Sequence, residues 1–405
     1  MISGLCDYAI RAQIHEAQIA YHLLLLVLSI LVLLIWLYLL LFHARFWLVN
    51  QLQLPEAATC ESKRVAVVIP ARNEADAIAR SVSSLLRQNF TGEIRLFVVD
   101  DNSSDGTANA ARAAAGSLGL SEKLVVVSGS ALPTGWTGKV WAMQQGWQAA
   151  KTLRPDFLLL ADADIEHAPD NLARLITQAR CGSLDLVSVM VKLRCQTLAE
   201  KFAIPAFVYF FFLLYPPARV ANPRSRVAGA AGGCVLIRPE ILERAGGFES
   251  IRDEIIDDCS LAARVKNAGG KLWLGVSRET RSIRGYETLS NVRDMISRTA
   301  FNQLRHSSLL LSASILGMLL TFVGPLALVW SGDNATGWIA AAACIVMFAT
   351  YVPVLQLHRV NPLSAVTLPF AAIFYVYATT HSATRYWQGK GGEWKGRAQD
   401  LPPCS

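Results

Sequence analysis

The order of apolar and polar positions divides the chain into three regions. Residues 22–42 contain no Asp, Glu, Lys or Arg, and a helix of that length crosses the roughly 30 Å hydrocarbon layer of a bilayer. A secretory signal peptide is the alternative, but the apolar run is longer than is usual for one and no small-x-small cleavage site follows it. We therefore predict an uncleaved N-terminal transmembrane anchor within residues 1–50.

Three more apolar segments lie near the C-terminus, at residues 307–330, 337–357 and 362–380. Each is long enough to form a membrane-spanning helix. We therefore predict a C-terminal transmembrane region over residues 307–385, followed by a basic tail over residues 386–405.

Between the terminal regions, short apolar runs alternate with stretches of helical periodicity. The runs are almost continuously apolar, which is typical of parallel strands covered on both faces. The predicted strands are 65–71, 94–101, 124–129, 157–164 and 185–191, and the predicted helices are 74–88, 104–117, 138–153 and 169–181. This β-α-β order predicts an α/β fold with a mostly parallel sheet.

Polar residues follow three of the predicted strands, at the edge where parallel α/β sheets bind ligands. They are 70–74 after the first strand, 100–107 after the second, and Asp162 with Asp164 after the fourth. Each group alone is also explained as a turn or a helix cap, with Ser103 or Asn102 as the cap of helix 104–117. Three such groups at one edge favour a ligand site.

Asp162 and Asp164 are separated by one residue, so both carboxylates point to the same side if the strand continues through residue 164. Adjacent carboxylates repel each other, and burial would force one of them to bind a proton unless a cation neutralises the pair. Mg²⁺ or Mn²⁺ takes one or two carboxylates and fills its other positions with water and phosphate oxygens. The pair predicts a divalent-metal site that stabilises a diphosphate leaving group.

The composition limits the choice of partners and compartment. The chain is 53% hydrophobic and 17% charged, with a formal net charge of +7. The basic residues do not form one block, so anionic lipid headgroups and an anionic substrate explain this charge better than nucleic acid does. The eight cysteines form no CxxC pair, so neither a zinc site nor a disulfide framework is indicated. A reducing, cytoplasm-facing domain fits this usage.

Six sequence stretches follow one another as they do in the inverting family 2 glycosyltransferases, which have the GT-A fold. They are VVIPARNE (67–74), VVDDNSSDGT (98–107), GKVWAMQQG (138–146), ADAD (161–164), GGCVLIRPEILERAGGF (232–248) and IIDDCSLAARVKNAGGKL (255–272). The resemblance implies a GT-A domain over residues 60–306. The apolar ends and the terminal WQGKGGEWKGR (387–397) look most similar to the glycosyltransferases associated with hopanoid biosynthesis.

The resemblance implies roles on the donor side. Lys139 would lie near the donor phosphates or the sugar. Asp162 and Asp164 would bind the divalent metal, with Asp164 the more direct ligand. The uridine of a nucleotide sugar would be held by Pro70, Arg72, Glu74, Asp100 and Asp101.

The resemblance also implies roles on the acceptor side. Asp258 would be the general base that takes the proton of the acceptor hydroxyl, and Asp257 replaces a glutamate that is usual before it. Without the resemblance, both residues are also explained as N-terminal charges of a helix over residues 258–268.

The sequence departs from the family after this base. Many membrane members carry Gln-x-x-Arg-Trp, in which the arginine meets the diphosphate, whereas residues 302–306 are NQLRH and retain only Arg305. Because the full motif marks polymer synthases and ceramide-type lipid transferases, its erosion argues against polymer synthesis. His306 would be a stacking surface or an interfacial residue, and we favour the second.

The segment 202–217 is aromatic-rich but too short to cross a bilayer as a helix. We interpret it as an interfacial or re-entrant segment, with a buried core helix as the alternative. At the bilayer surface it would let a lipid hydroxyl reach the sugar, which predicts a lipid acceptor.

The charges beside the spans indicate the orientation. His43 and Arg45 follow the anchor, whereas the loop 331–336 holds only an acidic charge, so the central domain is predicted to be cytoplasmic at a bacterial inner membrane. Three full C-terminal spans would place the basic residues of 385–397 on the opposite side. Either 362–380 does not cross, or the tail is an exception to the rule.

The sequence thus predicts a multi-pass, metal-dependent hexosyltransferase that moves a sugar from a nucleotide-sugar donor, expected to be a UDP-sugar, to a lipid acceptor in hopanoid biosynthesis. Transfer to polyprenyl phosphate is one alternative. A non-catalytic scaffold of a lipid-synthesis complex is another, and the complete set of aspartates argues against it.

Overall fold

The computed structural model describes residues 2–58, 63–331 and 333–398. Small parts of the predicted anchor, domain start, C-terminal loop and tail lie outside the described residues, namely Met1, 59–62, Gly332 and 399–405. Nearly all of the predicted secondary structure can therefore be compared with the structure.

A mixed eight-stranded sheet forms the centre of the α/β region. Its strands are β1 (Arg64–Ala71), β2 (Glu93–Asp100), β3 (Leu124–Ser128), β4 (Phe157–Ala161), β5 (Ile165–Glu166), β6 (Leu186–Lys192), β7 (Cys234–Ile237) and β8 (Leu272–Ser282). Their order across the sheet is β3-β2-β1-β4-β7-β6-β8-β5. Strands β1 to β4 run parallel, and β7 is antiparallel to both β4 and β6. The predicted α/β fold with a mostly parallel sheet is confirmed.

Helices cover the sheet and form both ends of the chain. In chain order they are α1 (Ile2–Leu41), α2 (Ala75–Leu86), α3 (Thr107–Ser117), α4 (Gly138–Ala150), α5 (Asn171–Cys181), α6 (Leu198–Leu214), α7 (Pro217–Ala221), α8 (Pro239–Arg244), α9 (Asp257–Asn267), α10 (Leu289–Ser297), α11 (Ala300–Gln303), α12 (Ser308–Met318), α13 (Gly324–Val329), α14 (Asn334–Leu357) and α15 (Leu368–Trp387). A π-helical turn, Leu319–Val323, joins α12 to α13.

The buried central strands explain why the sheet sequence is almost continuously apolar. Val65, Val67 and Ile69 of β1 contribute to the core on one face of the sheet, and Ala66 and Val68 contribute to the core on the other. Alternate residues of a strand point to opposite faces, so a strand covered on both faces needs apolar residues throughout. This packing fixes β1 and β4 side by side.

Five helical segments in the described residues are long and apolar enough to cross a membrane. They are Gln13–Leu41, Leu198–Ala221, Ser308–Val329, Asn334–Leu357 and Pro362–Trp387. Helix α1 packs on α14 and α13, and the indole Nε1 of Trp36 donates to the carbonyl oxygen of Thr321 over 2.9 Å. The predicted apolar helices at both ends of the chain are confirmed.

The helical segment formed by α6 and α7, Leu198–Ala221, is 24 residues long and apolar enough to cross a membrane, so the expectation that the segment 202–217 is too short to cross is wrong. Helix α6 begins at Leu198 because Thr197 and Glu200 form a capping box at its N-terminus. The hydroxyl of Tyr209 hydrogen-bonds Thr350 of α14 over 2.8 Å. Part of α6 is thus buried against the terminal helices. This agrees with the alternative interpretation of the segment 202–217 as a buried core helix.

Both ends of α15 adjoin the α/β region. Near its C-terminal end, the backbone N–H of Phe301 donates to the hydroxyl of Ser382 over 3.1 Å. Before its N-terminal end, Arg359 lies near Lys192 at the end of β6, and burial together with this arginine lowers the pKa of Lys192. The segment before α15 and the C-terminal end of α15 therefore both contact the α/β region.

Candidate active site

The ends of β1 and β4 open into a cavity of about 350 Å³. The two strands are neighbours in the sheet, so Pro70 after β1 and Asp162 after β4 reach the same edge. The sequence-predicted site residues that line the cavity are Pro70, Glu74, Lys139, Asp162, Asp164 and Asp257. Asp258 lines an adjoining smaller cavity together with Lys139 and Asp162.

Lys139 lies at the centre of the site, in the first turn of α4. Its Nζ is 2.9 Å from Oδ1 of Asp162 and 3.2 Å from Oδ2 of Asp257. Burial alone would lower the pKa of this lysine, but attraction to Asp162, Asp257 and Asp258 outweighs burial and raises it. The ammonium therefore stays charged and joins the end of β4 to the start of α9.

The two aspartates of the ADAD stretch have different partners. β4 ends at Ala161, so the prediction of a strand through residue 164 is wrong, because a turn closed by the hydrogen bond from Ile165 N to Asp162 O begins there. Asp164 Oδ2 accepts from Nε of Arg284 over 2.9 Å. Burial raises the pKa of Asp162, and the neighbouring Asp164 and Asp257 add to this against the opposing effect of Lys139.

The charge around the cavity fits a divalent cation. Within the described residues no three His, Cys, Asp or Glu side chains form a ready-made metal cluster, and Mg²⁺ or Mn²⁺ needs only one or two carboxylates when phosphate oxygens and water complete its shell. The described ionisable residues of the lining comprise six acidic and four basic side chains: Glu74, Asp162, Asp164, Glu254, Asp257 and Asp294, against Lys139, Arg284, Arg298 and Lys395. The excess of two negative charges matches one such ion.

Asp257 and Asp258 occupy the first turn of α9. They are thus first-turn charges that also line the two cavities, and the role of Asp258 as general base stays a prediction. Burial raises the pKa of Asp258 to about 6, and repulsion from Asp257 adds to this while Lys139 opposes it. An added Cβ at Gly232 would lie 3.1 Å from Asp258 Oδ2, so a glycine leaves room for this carboxylate. Asp258 is suited to accept a proton near neutral pH.

The polar loop after β2 holds the loop after β1. Asp100 Oδ1 accepts from the backbone N–H of Ser103 over 3.0 Å, and the guanidinium of Arg72 donates to the carbonyl oxygen of Asp101 over 2.5 Å. Ser103 accepts from the backbone N–H of Asn73 instead of capping α3, whose N-cap is Gly106. Arg72, Asp100 and Asp101 do not line the cavity, so their predicted contact with uridine stays a prediction.

Arg305 lies away from this cavity. It does not line it, its side chain is exposed, and its backbone has a left-handed φ of 52°. The ring of the next residue, His306, stacks on Tyr386 of α15 with centroids 4.1 Å apart. His306 therefore packs against α15, and its interpretation as an interfacial residue stays a prediction. The role of Arg305 at the diphosphate also stays a prediction.

Several cavity residues were missed by the sequence analysis. Arg284 bridges Asp164 and Glu74, with its Nη2 2.6 Å from Glu74 Oε1. Other lining residues that the sequence analysis did not place in the site include Glu254, Tyr286, Asp294, Arg298, Trp394 and Lys395. The sequence signal for Trp394 and Lys395 is the WQGKGGEWKGR stretch, which by itself predicts no role in binding or catalysis.

A buried carboxylate fixes the loop that carries Arg284. Glu200 Oε1 accepts from the backbone N–H of Tyr286 over 2.8 Å, and its Oε2 accepts from those of Gln196 and Thr197 over 2.7 and 3.0 Å. Burial acts to raise the pKa of Glu200, but these hydrogen bonds outweigh it and lower the pKa. The start of α6 thereby holds the loop that places Arg284 at the cavity.

The α/β region is similar to a known protein family. Residues 66–246 match the family model "Glycosyl transferase family 2". A 4,4'-diaponeurosporenoate glycosyltransferase of Staphylococcus haemolyticus is 32% identical over 124 residues, which are 31% of this chain and 30% of that protein. The chain thus matches less than a third of the length of this curated relative.

The solved structure of a mannosyltransferase shares the architecture. The mannosyltransferase PcManGT from Pyrobaculum calidifontis, in complex with GDP-Man and Mn²⁺, is 19% identical with a TM-score of 0.52, over 89% of this chain and 99% of that chain. TarS of S. aureus in complex with UDP is 16% identical with a TM-score of 0.39, over 80% and 92% of the two chains. The predicted GT-A fold, with apolar helices at both ends, is confirmed.

Proposed function

We propose that this protein is a membrane-bound inverting glycosyltransferase that moves a sugar from a nucleotide-sugar donor to the hydroxyl of a lipid. The observation that carries the proposal is the position of Lys139 between Asp162 and Asp257, with Asp258 beside them. Inversion needs a base on one side of the sugar and a stabilised diphosphate on the other. These residues supply the two sides.

On the donor side, the residues that face the cavity bind and orient the nucleotide. Glu74 and Pro70 border the end expected to hold the base, and Lys139 is a fixed cation close to the carboxylate pair. Asp162 and Asp164 would hold a Mg²⁺ or Mn²⁺ ion, which when bound neutralises charge on the leaving diphosphate. The structural neighbour PcManGT is described with GDP-Man and Mn²⁺, and the resemblance of the sequence to family 2 glycosyltransferases leads us to expect UDP here.

On the acceptor side, Asp258 takes the proton of the attacking hydroxyl. Its raised pKa leaves it mostly ionised at neutral pH yet basic enough to accept a proton as the new bond forms. Asp257 is paired with Lys139 beside it.

The acceptor reaches the site from the bilayer. Leu363, Val366, Phe370, Ile373 and Tyr377 are all exposed and recur at helical spacing along and just before α15. An exposed apolar stripe on a helix whose two ends adjoin the α/β region fits a helix lying in the membrane interface. The curated relative is named for 4,4'-diaponeurosporenoate, and we propose a hopanoid as the acceptor here.

The test is transfer by the purified full-length protein, with Mg²⁺ or Mn²⁺, bacterial lipid extract and a panel of nucleotide sugars. We expect nucleotide release and a glycosylated lipid, both lost in Asp258→Asn and in Asp164→Asn. Asp253→Asn is the control, because Asp253 is exposed and does not line the cavity. Unchanged transfer in either active-site variant would refute the assignment. Loss of a glycosylated hopanoid from a deletion strain would support the acceptor, and an unchanged lipid profile would contradict it.

A further inference from the structure

The end of the described chain folds back onto the donor edge of the sheet. β9 (Glu393–Trp394) and β10 (Arg397–Ala398) pair antiparallel, and the two residues between them, Lys395 and Gly396, have φ values of 50° and 82°. Two left-handed residues are the signature of a type I′ turn, in which glycine and asparagine are favoured. Lysine at the first of these positions needs a compensating interaction.

That interaction is with the loop after β1. Lys395 Nζ is 2.8 Å from Glu74 Oε1 and donates to the carbonyl oxygen of Asn73 over 3.1 Å. The carbonyl oxygen of Lys395 in turn accepts from Nε of Arg72 over 3.2 Å. The hairpin Glu393–Ala398 is thus bonded to the loop at its tip through both backbone and side chain.

Trp394 and Lys395 also line the same cavity as Asp162 and Asp164. A lysine ammonium has three N–H donors, and among the described residues Glu74 and Asn73 take two of them, so one can reach a ligand. Without Lys395, the ionisable lining would consist of six acidic and three basic side chains, which is unfavourable for an anionic diphosphate. The indole of Trp394 offers an aromatic wall of the kind on which nucleobases stack.

We propose that the hairpin Glu393–Ala398 forms the outer wall of the donor site and that Lys395 binds the anionic part of a nucleoside diphosphate. The inference rests on the proposed function and extends it, because the hairpin lies outside the family match at residues 66–246. It makes the C-terminal tail part of the binding site for the donor.

The experiment measures equilibrium binding of UDP and of GDP, with Mg²⁺, to the full-length protein by titration calorimetry. We expect one of the two nucleotides to bind, and Lys395→Gln to weaken that binding about tenfold or more, as expected for loss of a charged hydrogen bond. Lys395→Arg retains most of the affinity. Lys390→Gln is the matched control, because Lys390 is an exposed lysine of the same tail that does not line the cavity.

The outcomes separate the two proposals. Binding of neither nucleotide by the unmodified protein overturns the proposed function and this inference with it. Wild-type affinity in Lys395→Gln overturns the inference alone. If Lys395→Gln weakens the free nucleoside as much as the diphosphate, Lys395 only holds the loop, and its contact with the anionic part is refuted. A loss confined to the diphosphate supports it.

Discussion

Nζ of Lys139 lies 2.9 Å from Oδ1 of Asp162. The same ammonium contacts Asp257, so one side chain of α4 links the carboxylates after β4 with those at the start of α9. A basic residue in the first turn of a helix is unfavourable for the helix dipole. Its position is therefore explained by the carboxylates that it joins and by the chemistry proposed for them.

Replacing this lysine should disable the site without unfolding the protein. Lys139→Met leaves Asp162 and Asp257 without their shared cation, so repulsion moves them apart and the diphosphate loses a fixed positive charge. We expect kcat/KM for nucleotide release to fall about 100-fold or more, the scale seen on removal of one stabilising group. Lys151→Met is the control, since Lys151 pairs with the half-exposed Glu243. A loss of less than threefold in Lys139→Met would contradict the proposed role.

The transfer rate should depend on pH through Asp258. The groups that face its carboxylate are Asp257, Lys139, Asp162, Cys259 and Tyr215. The pKa of Asp258 is raised to about 6, so the active, ionised form is lost as the pH falls below that value. We expect log kcat/KM to fall by about one per pH unit below pH 6. A rate that stays constant down to pH 5 would rule out Asp258 as the base.

Glu200 should contribute to stability through the loop of Arg284. Glu200→Gln weakens the bonds that the carboxylate accepts from three backbone N–H groups, and we expect a loss of about 2–3 kcal/mol, seen as a lower Tm in detergent. Because the pKa of Glu200 is lowered, its stabilisation is present above the ordinary glutamate value and is lost as the pH falls through the folded value.

Glu287→Gln is the matched control for this variant. Glu287 is exposed, lies beside the same loop and reaches Arg194 only at 3.9 Å, so its replacement should leave the Tm nearly unchanged. Equal Tm values for Glu200→Gln and the unmodified protein would show that the loop is held by other contacts.

The sequence predicts those parts of the site that follow a buried strand directly. β1 and β4 are read from their apolar runs, so Glu74 and the aspartates of residues 162–164 could be placed at the ligand edge. The alternative in which Ser103 or Asn102 caps the helix does not hold, because the N-cap of α3 is Gly106 and the Ser103 hydroxyl accepts from Asn73 in the neighbouring loop. That contact joins residues far apart in sequence, and helix-start signals do not encode it.

No local sequence pattern points to the cavity residues that the sequence analysis missed. Arg284 follows β8, whose second half is polar, and it contacts Glu74 across 210 positions. Lys395 contacts Asn73 across 322 positions. Antiparallel β7 between β4 and β6 likewise depends on long-range pairing. Periodicity predicts the faces of elements, whereas contacts of this kind follow only from the assembled fold.

The position of the tail predicts the number of membrane crossings. Helix α12 begins directly after the α/β region, and the end of α14 returns to it, where Gln356 contacts Asn50 over 3.4 Å. Since the segment before α15 and its C-terminal end both contact the α/β region, we predict that α15 does not cross and that the basic tail stays on the side of that region. With this arrangement the basic tail agrees with the positive-inside rule. We therefore expect three crossings, by α1, by α12 with α13, and by α14.

Cysteine labelling of intact cells with a membrane-impermeant maleimide tests this arrangement. Ala335→Cys lies at the far end of α14 and should be labelled from outside, whereas Gln388→Cys, just after α15, should be labelled only once the membrane is permeabilised. Both positions are exposed, and the native exposed Cys181 marks the side of the α/β region. Labelling of Gln388→Cys in intact cells at the rate of Ala335→Cys would mean that α15 crosses. The hairpin Glu393–Ala398 could then not contact Glu74 at the donor site, because a tail on the other side of the bilayer cannot reach it.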